Sequence, residues 1–307
     1  MGEYMYTEAF VEEIRRRIEE LRKAEMTFRT VPESNPDPLY HKIPGSPKAC
    51  TVELKRPDGP RPFYTRYLPA EGEDLPLMVI SPGYAGTLRD IPGDLAEYYN
   101  VIFPSPLGYG KADGTQANEL REYGIWPVLA NTLHGEGETY TDWILDAAWA
   151  IEWARRNTTA DTNLLIFAGC SQGGAMSLIL GGIFRDDCLA VCADEPFLVD
   201  CSGERVYDFI STCVHNPYQI VSVARAERNL SAVDPLLYAP LLEGIPVLIC
   251  SGTEDRQCPA VYNEQLYRAI PAGPLNRYRL HQGRNHGYSA WFHQDMMRFL
   301  NGELPPA

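Results

Sequence analysis

Short apolar runs alternate with segments of helical periodicity along the chain from residue 76 onward. Runs such as "LMVI" and "VLIC" are apolar at every position, which is typical of strands that are buried on both faces. Predicted strands cover 76–83, 100–106, 163–170, 188–196, 245–255 and 275–283. Predicted helices cover 94–99, 140–156, 175–184, 260–270 and 289–302. Strands that alternate with helices form a mostly parallel sheet with helices on both faces, so the sequence predicts an α/β fold.

A helix and a strand pair are predicted before this alternation begins. Residues 7–23 have apolar side chains at helical spacing, which gives a helix with one apolar face. Residues 31–47 are rich in proline and are expected to be irregular. The segments 49–56 and 62–70 have the composition of an antiparallel strand pair.

These patterns divide the chain into two parts. We expect residues 1–48 to form an N-terminal helix and irregular extension, and residues 49–307 to form one α/β domain. Residues 197–240 lie between two predicted strands and contain about one helical stretch more than a simple crossover needs. We expect this segment to be a small insertion over the C-terminal edge of the sheet.

Charge and hydropathy limit the partners of this chain. The formal net charge at pH 7 is −14, so an acidic surface argues against nucleic acid and anionic membranes as partners. No run approaches the roughly 18 uncharged apolar residues that a membrane helix needs. The N-terminal stretch "MGEYMYTEAF" lacks the basic and apolar segments of a secretory signal. We expect a cytoplasmic protein whose partner is a small molecule.

The eight cysteines are expected to be reduced thiols, and no cofactor is implied. An even number permits disulfides, but this chain is much longer than the small scaffolds that disulfides stabilise. Cys188 and Cys192 are close, but no second close pair completes a zinc site. The stretch "GYGKADG" lacks the spacing of a phosphate-binding loop, and no G-x-G-x-x-G opens a helix.

A serine stands between a predicted strand and a predicted helix, in the stretch Gly169-Cys170-Ser171-Gln172-Gly173. In a G-x-S-x-G turn of this kind the serine has a strained backbone, so its hydroxyl stands clear of the sheet. Glycine is needed on either side because a side chain there would collide with the strand or the helix. The pattern predicts that Ser171 is a nucleophile and that the backbone N–H of Gln172 stabilises a developing oxyanion. The alternative is a glycine-rich loop that only lets the strand and helix pack.

A serine nucleophile needs a base, and the base needs an acid that orients it. In α/β-hydrolase chains these residues follow in the order Ser, Asp or Glu, His. His286 comes after the last predicted strand, in a loop that opens on the same edge of the sheet as Ser171. His281 lies in a strand and His293 in the last helix, so both are expected to be structural. His286 is therefore the predicted base, and a solvated loop histidine is the alternative.

The predicted acid is Asp255, which follows the strand "VLICSG". Its neighbour Glu254 is a second candidate, and Asp194 with Glu195, after the preceding strand, is a third. Asp255 also stands shortly before a helix, so it could serve only as a helix cap.

A second oxyanion donor is expected in the loop after an early strand. The stretch "VISPGYAGT" supplies such a loop, and Gly83 lets the backbone come close to a ligand. We predict that the backbone N–H of Tyr84 is this donor; the alternative is that "SPGYAG" is only a turn.

With these motifs in place, residues 76–300 resemble the acetyl xylan esterase and cephalosporin C deacetylase family of α/β hydrolases, carbohydrate esterase family seven. The similar stretches are "PGYAG", "GCSQGG", "ADEPFLVD", "LSAVDPLLYAPLLEGIPVLICSGTEDRQCP" and "NHGY". The resemblance implies an α/β-hydrolase fold and a serine esterase that removes short acyl groups. It also implies Ser171, Asp255 and His286 as the catalytic residues, Tyr84 as an oxyanion donor, and a homo-oligomer.

The chain departs from the family pattern at several places. Pro82-Gly83 stands where the family usually has His-Gly, and Leu107-Gly108-Tyr109 stands where it has Arg-Gly-Gln. Gly287 follows the histidine in place of a glutamate. These differences keep alternatives open: a thioesterase, acyltransferase or peptidase that acts on a specialised metabolite, and a non-catalytic binding protein of the same fold.

Overall fold

The computed structural model describes residues 2–31, 49–84, 93–109, 126–202, 204–206, 221–287 and 289–305. Within these ranges the strands are β1 (Phe28–Val31), β2 (Cys50–Leu54), β3 (Phe63–Leu68), β4 (Pro76–Ser81), β5 (Asn100–Pro104), β6 (Asp161–Cys170), β7 (Cys188–Asp194), β8 (Val247–Gly252) and β9 (Arg277–His281). The longer helices are α1 (Gly2–Lys23), α2 (Pro127–His134), α3 (Tyr140–Asn157), α4 (Gln172–Ile183), α5 (Val223–Ser231), α6 (Ala260–Ala269) and α7 (Ala290–Leu300).

The described strands form one sheet in the order β1-β2-β3-β5-β4-β6-β7-β8-β9. The pairs β1–β2, β2–β3 and β3–β5 are antiparallel. Every pair from β5 to β9 is parallel. The predicted mostly parallel sheet is therefore confirmed. Its parallel strands all point their C-terminal ends to one edge, where their loops can meet.

Helices cover both faces of the sheet. Because successive residues of a strand point to opposite faces, each central strand contributes side chains to two core layers. In β4, Leu77 and Val79 join the core layer that also contains apolar residues of α1, α3 and α4. Met78, between them, joins the other layer, which contains apolar residues of α7. Such a strand is apolar at every position, which explains the uninterrupted run in the sequence.

Helix α3 begins at a reciprocal pair of hydrogen bonds. The Thr139 hydroxyl accepts from the backbone N–H of Thr141 at 3.2 Å, and the Thr139 N–H donates to the Asp142 carboxylate at 3.0 Å. This cap fixes where the helix starts. The first helical residue, Tyr140, is fully buried beneath the turn between β6 and α4.

Helix α1 packs on the same core as the sheet. Val11 and Ile14 are buried in the layer that contains α3. The Arg15 guanidinium donates to the carbonyls of Gly182 and Ile183, at the C-terminal end of α4. The division at residue 48 and the insertion at 197–240 stay predictions, because residues 32–48, 203 and 207–220 lie outside the described ranges.

None of the described helices combines the length and the apolar character needed to cross a membrane. The seven described cysteines are free thiols.

Candidate active site

Ser171 occupies the single residue between β6 and α4. Its backbone has φ 57° and ψ −121°, a conformation that side-chain-bearing residues rarely adopt and that stores strain. Hydrogen bonds hold it there: the Ser171 N–H donates to the Asp194 carbonyl at 2.8 Å, and its own carbonyl accepts from Phe197 N–H at 3.0 Å. The turn thus fixes the hydroxyl at the C-terminal edge of the sheet.

The glycines around Ser171 are required by close backbone contacts. A Cβ atom on Gly169 would lie 2.4 Å from the carbonyl oxygen of Gly173. A Cβ atom on Gly173 would lie 1.9 Å from the carbonyl oxygen of Ser81, at the end of β4. Both distances are far below van der Waals contact, so no larger residue fits while the turn keeps this shape.

A chain of hydrogen bonds links Ser171 to a histidine and a carboxylate. Nε2 of His286 lies 3.1 Å from the Ser171 hydroxyl oxygen, and Nδ1 lies 2.8 Å from Oδ2 of Asp255. The other carboxylate oxygen of Asp255 accepts from the backbone N–H groups of Gln257 and Cys258, each at 2.8 Å. A nucleophile, a base and an acid that orients the base therefore stand in contact.

The electrostatics of this pair favour an ionised acid beside a basic ring. Burial would raise the pKa of Asp255, but the hydrogen bond from His286 and those from the backbone lower it overall. Burial would lower the pKa of His286, but the hydrogen bond and charge of Asp255 raise it overall. Asp255 is thus a carboxylate at neutral pH, and it strengthens the ring as a proton acceptor.

The other acid candidates differ from Asp255 in their surroundings. Glu254 is exposed. Asp194 forms a buried bidentate pair with the guanidinium of Arg284, at 2.7 and 2.5 Å. Glu195 is nearer to the base: its Oε2 lies 3.4 Å from Nδ1 of His286. Asp255 has the shortest contact with the ring.

Of the other described histidines, His134 is the last residue of α2, and His281 and His293 contact separate carboxylates. His281 lies in β9, 3.1 Å from Asp295, and His293 in α7 lies 2.9 Å from Asp94. His41 and His215 lie outside the described residues.

The side chain of Gln172 is held from below by two tyrosines. Its Oε1 accepts from the Tyr140 hydroxyl at 2.6 Å, and its Nε2 donates to the Tyr109 hydroxyl oxygen at 3.1 Å. Gln172 is the first residue of α4, where backbone N–H groups have no partner within the helix. These contacts anchor the residue whose N–H is the predicted oxyanion donor, and that role stays a prediction.

The loop after β4 lies against the serine turn. A Cβ atom on Gly83 would be 3.3 Å from the Cys170 carbonyl oxygen and 3.9 Å from Cβ of Ser171. Tyr84 is the next residue, and its hydroxyl accepts from the backbone N–H of Trp126 at 3.1 Å. The role of the Tyr84 N–H as the second oxyanion donor stays a prediction.

Sequence reasoning missed several residues of this site. Tyr140 was predicted only as the start of a helix, and Tyr109 only as a departure from the family pattern. Arg284 stands two positions before His286, a spacing that could have drawn attention to it. Cys258, whose Sγ lies 3.9 Å from the Ser171 hydroxyl oxygen, follows Asp255 closely in the same way.

Some described side chains have donor atoms grouped as metal ligands are. Three groups have their His, Cys or carboxylate atoms within 4.8 Å of one another: Asp255, Cys258 and His286; Cys170, Asp194 and Glu195; and Cys250, His281 and Asp295. The first is tied internally by the Asp255–His286 hydrogen bond. In the others, Arg284 and Arg279 place a guanidinium on a carboxylate. In each group a carboxylate already contacts a histidine ring or a guanidinium of the protein.

Comparison with known families identifies the chain. A family model described as acetyl xylan esterase (AXE1) matches residues 131–303, more than half of the sequence. The chain belongs to the acetyl xylan esterase family. It is therefore a carboxylic ester hydrolase, and the resemblance and the serine esterase function expected from the sequence are confirmed. No curated protein matches the chain.

Solved structures with the same fold include two acetyl xylan esterases. Acetyl xylan esterase 1 from Thermoanaerobacterium sp. JW/SL YS485 is 18% identical, with a TM-score of 0.69 over 96% of this chain and 94% of that one. The acetyl xylan esterase from Paenibacillus sp. R4 is 20% identical, with a TM-score of 0.67 over 94% and 92%. An acylaminoacyl peptidase from Pyrococcus horikoshii is 19% identical, with a TM-score of 0.62 over 88% of this chain and 43% of that one. At these identities the likeness establishes the α/β-hydrolase fold.

Proposed function

We propose that this esterase removes short acyl groups from a small-molecule ester through Ser171, His286 and Asp255. The observation that carries the proposal is the hydrogen-bonded chain from the Ser171 hydroxyl to Nε2 of His286, and from Nδ1 to Asp255, at 3.1 and 2.8 Å. Membership in the acetyl xylan esterase family supports an acetylated substrate.

In the first half of the reaction, the Ser171 oxygen attacks the ester carbonyl while Nε2 of His286 takes its proton. The tetrahedral intermediate collapses as His286 gives that proton to the leaving alcohol, which leaves an acyl group on Ser171. Water then attacks the acyl-enzyme with His286 again as base, and the carboxylic acid departs. Asp255 keeps the ring in the tautomer that has hydrogen on Nδ1 and stabilises the imidazolium.

The negative charge of each tetrahedral intermediate needs fixed donors. We assign these to the backbone N–H groups of Gln172, at the positive end of the α4 dipole, and of Tyr84. The anchoring of Gln172 by Tyr109 and Tyr140 supports this assignment, because a preorganised donor does not have to reorient during the reaction.

Labelling with a fluorophosphonate tests the nucleophile. We expect the adduct on Ser171, and Ser171→Ala should lower the hydrolysis of p-nitrophenyl acetate by on the order of 10⁴-fold or more without unfolding the protein. Ser177→Ala is the matched control, because Ser177 is a buried serine of α4 whose hydroxyl donates to the Gly173 carbonyl. An adduct on another residue, or near-normal turnover by Ser171→Ala, contradicts the proposal.

We also propose a cytoplasmic location and a homo-oligomer. The free thiols of the described cysteines fit a reducing compartment, and the family resemblance supports assembly. Cell fractionation tests the location, and a secreted protein contradicts it. Light scattering of the purified protein tests the assembly, and a stable monomer contradicts it.

A further inference from the structure

Two carboxyl groups face the same nitrogen of His286. Asp255 lies 2.8 Å from Nδ1, and Oε2 of Glu195 lies 3.4 Å from it. Glu195 is fully buried and comes directly after β7, whereas Asp255 comes after β8. The base is therefore held between loops that follow two adjacent strands.

The backbone at Glu195 is strained in a way that places its side chain at the ring. Its φ is 45°, in the left-handed region that residues with a Cβ seldom occupy. The Glu195 N–H donates to the Cys250 carbonyl at 2.9 Å, and Oε2 accepts from the Gly287 N–H at 2.9 Å. Glu195 is thus fixed to β8 through its backbone N–H, and to Gly287, the residue after His286, through its side chain.

The charges around His286 do not balance when the ring is neutral. The titratable and charged groups that face it are Asp194 and Glu195 at the end of β7, Asp255 and Cys258 after β8, and Arg284 in its own loop. Arg284 forms its bidentate pair with Asp194. Its Nε lies 3.4 Å from Oε1 of Glu195, and Oε1 has no hydrogen-bond partner among the described residues.

The negative charges of Asp194 and Asp255 affect the ionisation of both Glu195 and His286. Burial and the charge of Asp194 raise the pKa of Glu195 to about 8, so near neutral pH the group is largely an uncharged carboxyl that ionises when a positive charge forms beside it. The same surroundings favour a positive charge on the ring of His286, which forms in the reaction when the Ser171 proton moves to Nε2. The ionised form of the Glu195 carboxyl becomes more favourable as the imidazolium of His286 forms.

We propose that Glu195 is a second carboxyl partner of His286, a positioning residue that holds the ring and stabilises its protonated form beside Asp255. This rests on the proposed function, in which His286 is the base. It predicts that Asp255 is partly replaceable, because a second acid already lies within reach of Nδ1.

A purely structural role is the competing explanation, in which Glu195 only accepts the Gly287 N–H. Glu195→Gln separates the two, because glutamine keeps an acceptor oxygen and the side-chain volume but cannot ionise when the imidazolium forms. Glu254→Gln is the matched control, since Glu254 is the exposed neighbour of Asp255.

The experiment measures kcat/KM for p-nitrophenyl acetate from pH 5 to 9 in the wild type, Glu195→Gln, Asp255→Asn, the double variant and Glu254→Gln. We expect Glu195→Gln to shift the histidine inflection to lower pH, while Glu254→Gln leaves it in place. We expect the double variant to lose about tenfold more than the product of the two single losses, because each acid compensates for the other.

The outcomes separate this proposal from the proposed function. An unshifted inflection in Glu195→Gln, together with multiplicative losses in the double variant, overturns the role of Glu195 and leaves the catalytic residues intact. Full activity in Ser171→Ala overturns the function itself. If Glu195→Gln does not fold, the Asp255→Asn variant decides the question. Residual turnover in Asp255→Asn that is lost when His286→Ala is added supports Glu195 as a second acid. Turnover of Asp255→Asn as low as that of Ser171→Ala refutes the role of Glu195.

Discussion

At the scale of single residues, His286 illustrates how neighbours outweigh burial. Removal from water would lower the pKa of the ring, yet the hydrogen bond and charge of Asp255, with the charges of Glu195 and Asp194, raise it. The raised pKa makes the ring a stronger base, but it also keeps the ring protonated, and so unable to accept the Ser171 proton, to a higher pH.

The pH dependence follows from this direction. Because the base works only when neutral, kcat/KM should be full well above the pKa of His286 and should be lost as the pH falls through it. We expect the inflection above 6.5, the ordinary histidine value. Asp255→Asn should move it downward, since Asp255 is the partner that raises the pKa most. An inflection at or below the ordinary value contradicts the assignment of His286 as the base in this environment.

At the scale of elements, the turn between β6 and α4 depends on the neighbouring strand β4. The Ser81 carbonyl occupies the space that a Cβ on Gly173 would need. The glycine at the end of the G-x-S-x-G pattern is therefore required by a contact between β4 and α4 as well as by the local turn. This double requirement is why the pattern predicts the turn.

Gly173→Ala tests that contact. The added carbon would lie 1.9 Å from the Ser81 oxygen, so the turn or β4 must shift, and we expect a loss of about 3 kcal/mol or more in the free energy of unfolding. Gly273→Ala is the control, because its nearest neighbour is a side-chain atom of Asn276 at 3.4 Å, and it should change stability by less than about 0.5 kcal/mol. Urea denaturation measures both. Equal stabilities would show that the turn can relax.

Other elements were not predicted, and their burial explains why. β1 (Phe28–Val31) has one buried residue in four, so it lacks the alternation that marks a strand. It pairs only with β2 among the described strands, which is typical of an edge. α2 (Pro127–His134) is buried at most positions, so it has no polar stripe that would show a helical period.

At the scale of the whole molecule, the parallel strands bring distant residues to one edge. Ser171, Asp255 and His286 could be proposed from the sequence because each follows a recognisable strand and the crossover rule sends those strand ends to the same side. The sequence offered Glu195, with Asp194, only as an alternative to Asp255; that Glu195 faces His286 together with Asp255, and that tyrosines support Gln172, could not be proposed. These contacts depend on side-chain distances between segments that have no fixed spacing along the chain.

The same edge has an aromatic cluster, formed by Tyr84, Trp126 and Tyr109. The ring centres of Tyr84 and Trp126 lie 6.4 Å apart, and those of Trp126 and Tyr109 lie 5.3 Å apart. Tyr109 contacts the side chain of Gln172. Tyr84 is the residue after Gly83, which lies against the serine turn. Because of this position, we expect the Tyr84 ring to limit the room for an acyl chain.

Acyl length should therefore decide the rate. We expect kcat/KM to fall from p-nitrophenyl acetate and propionate to octanoate, because a clash of about 1–3 kcal/mol slows the reaction roughly 5- to 150-fold. Tyr84→Ala, which keeps the backbone N–H but removes the ring, should raise the octanoate rate relative to acetate. Tyr98→Ala, a tyrosine that is 48% exposed, should leave that ratio unchanged. Rates that climb toward octanoate in the wild type would show a pocket open to long chains, and the short-acyl assignment would be wrong.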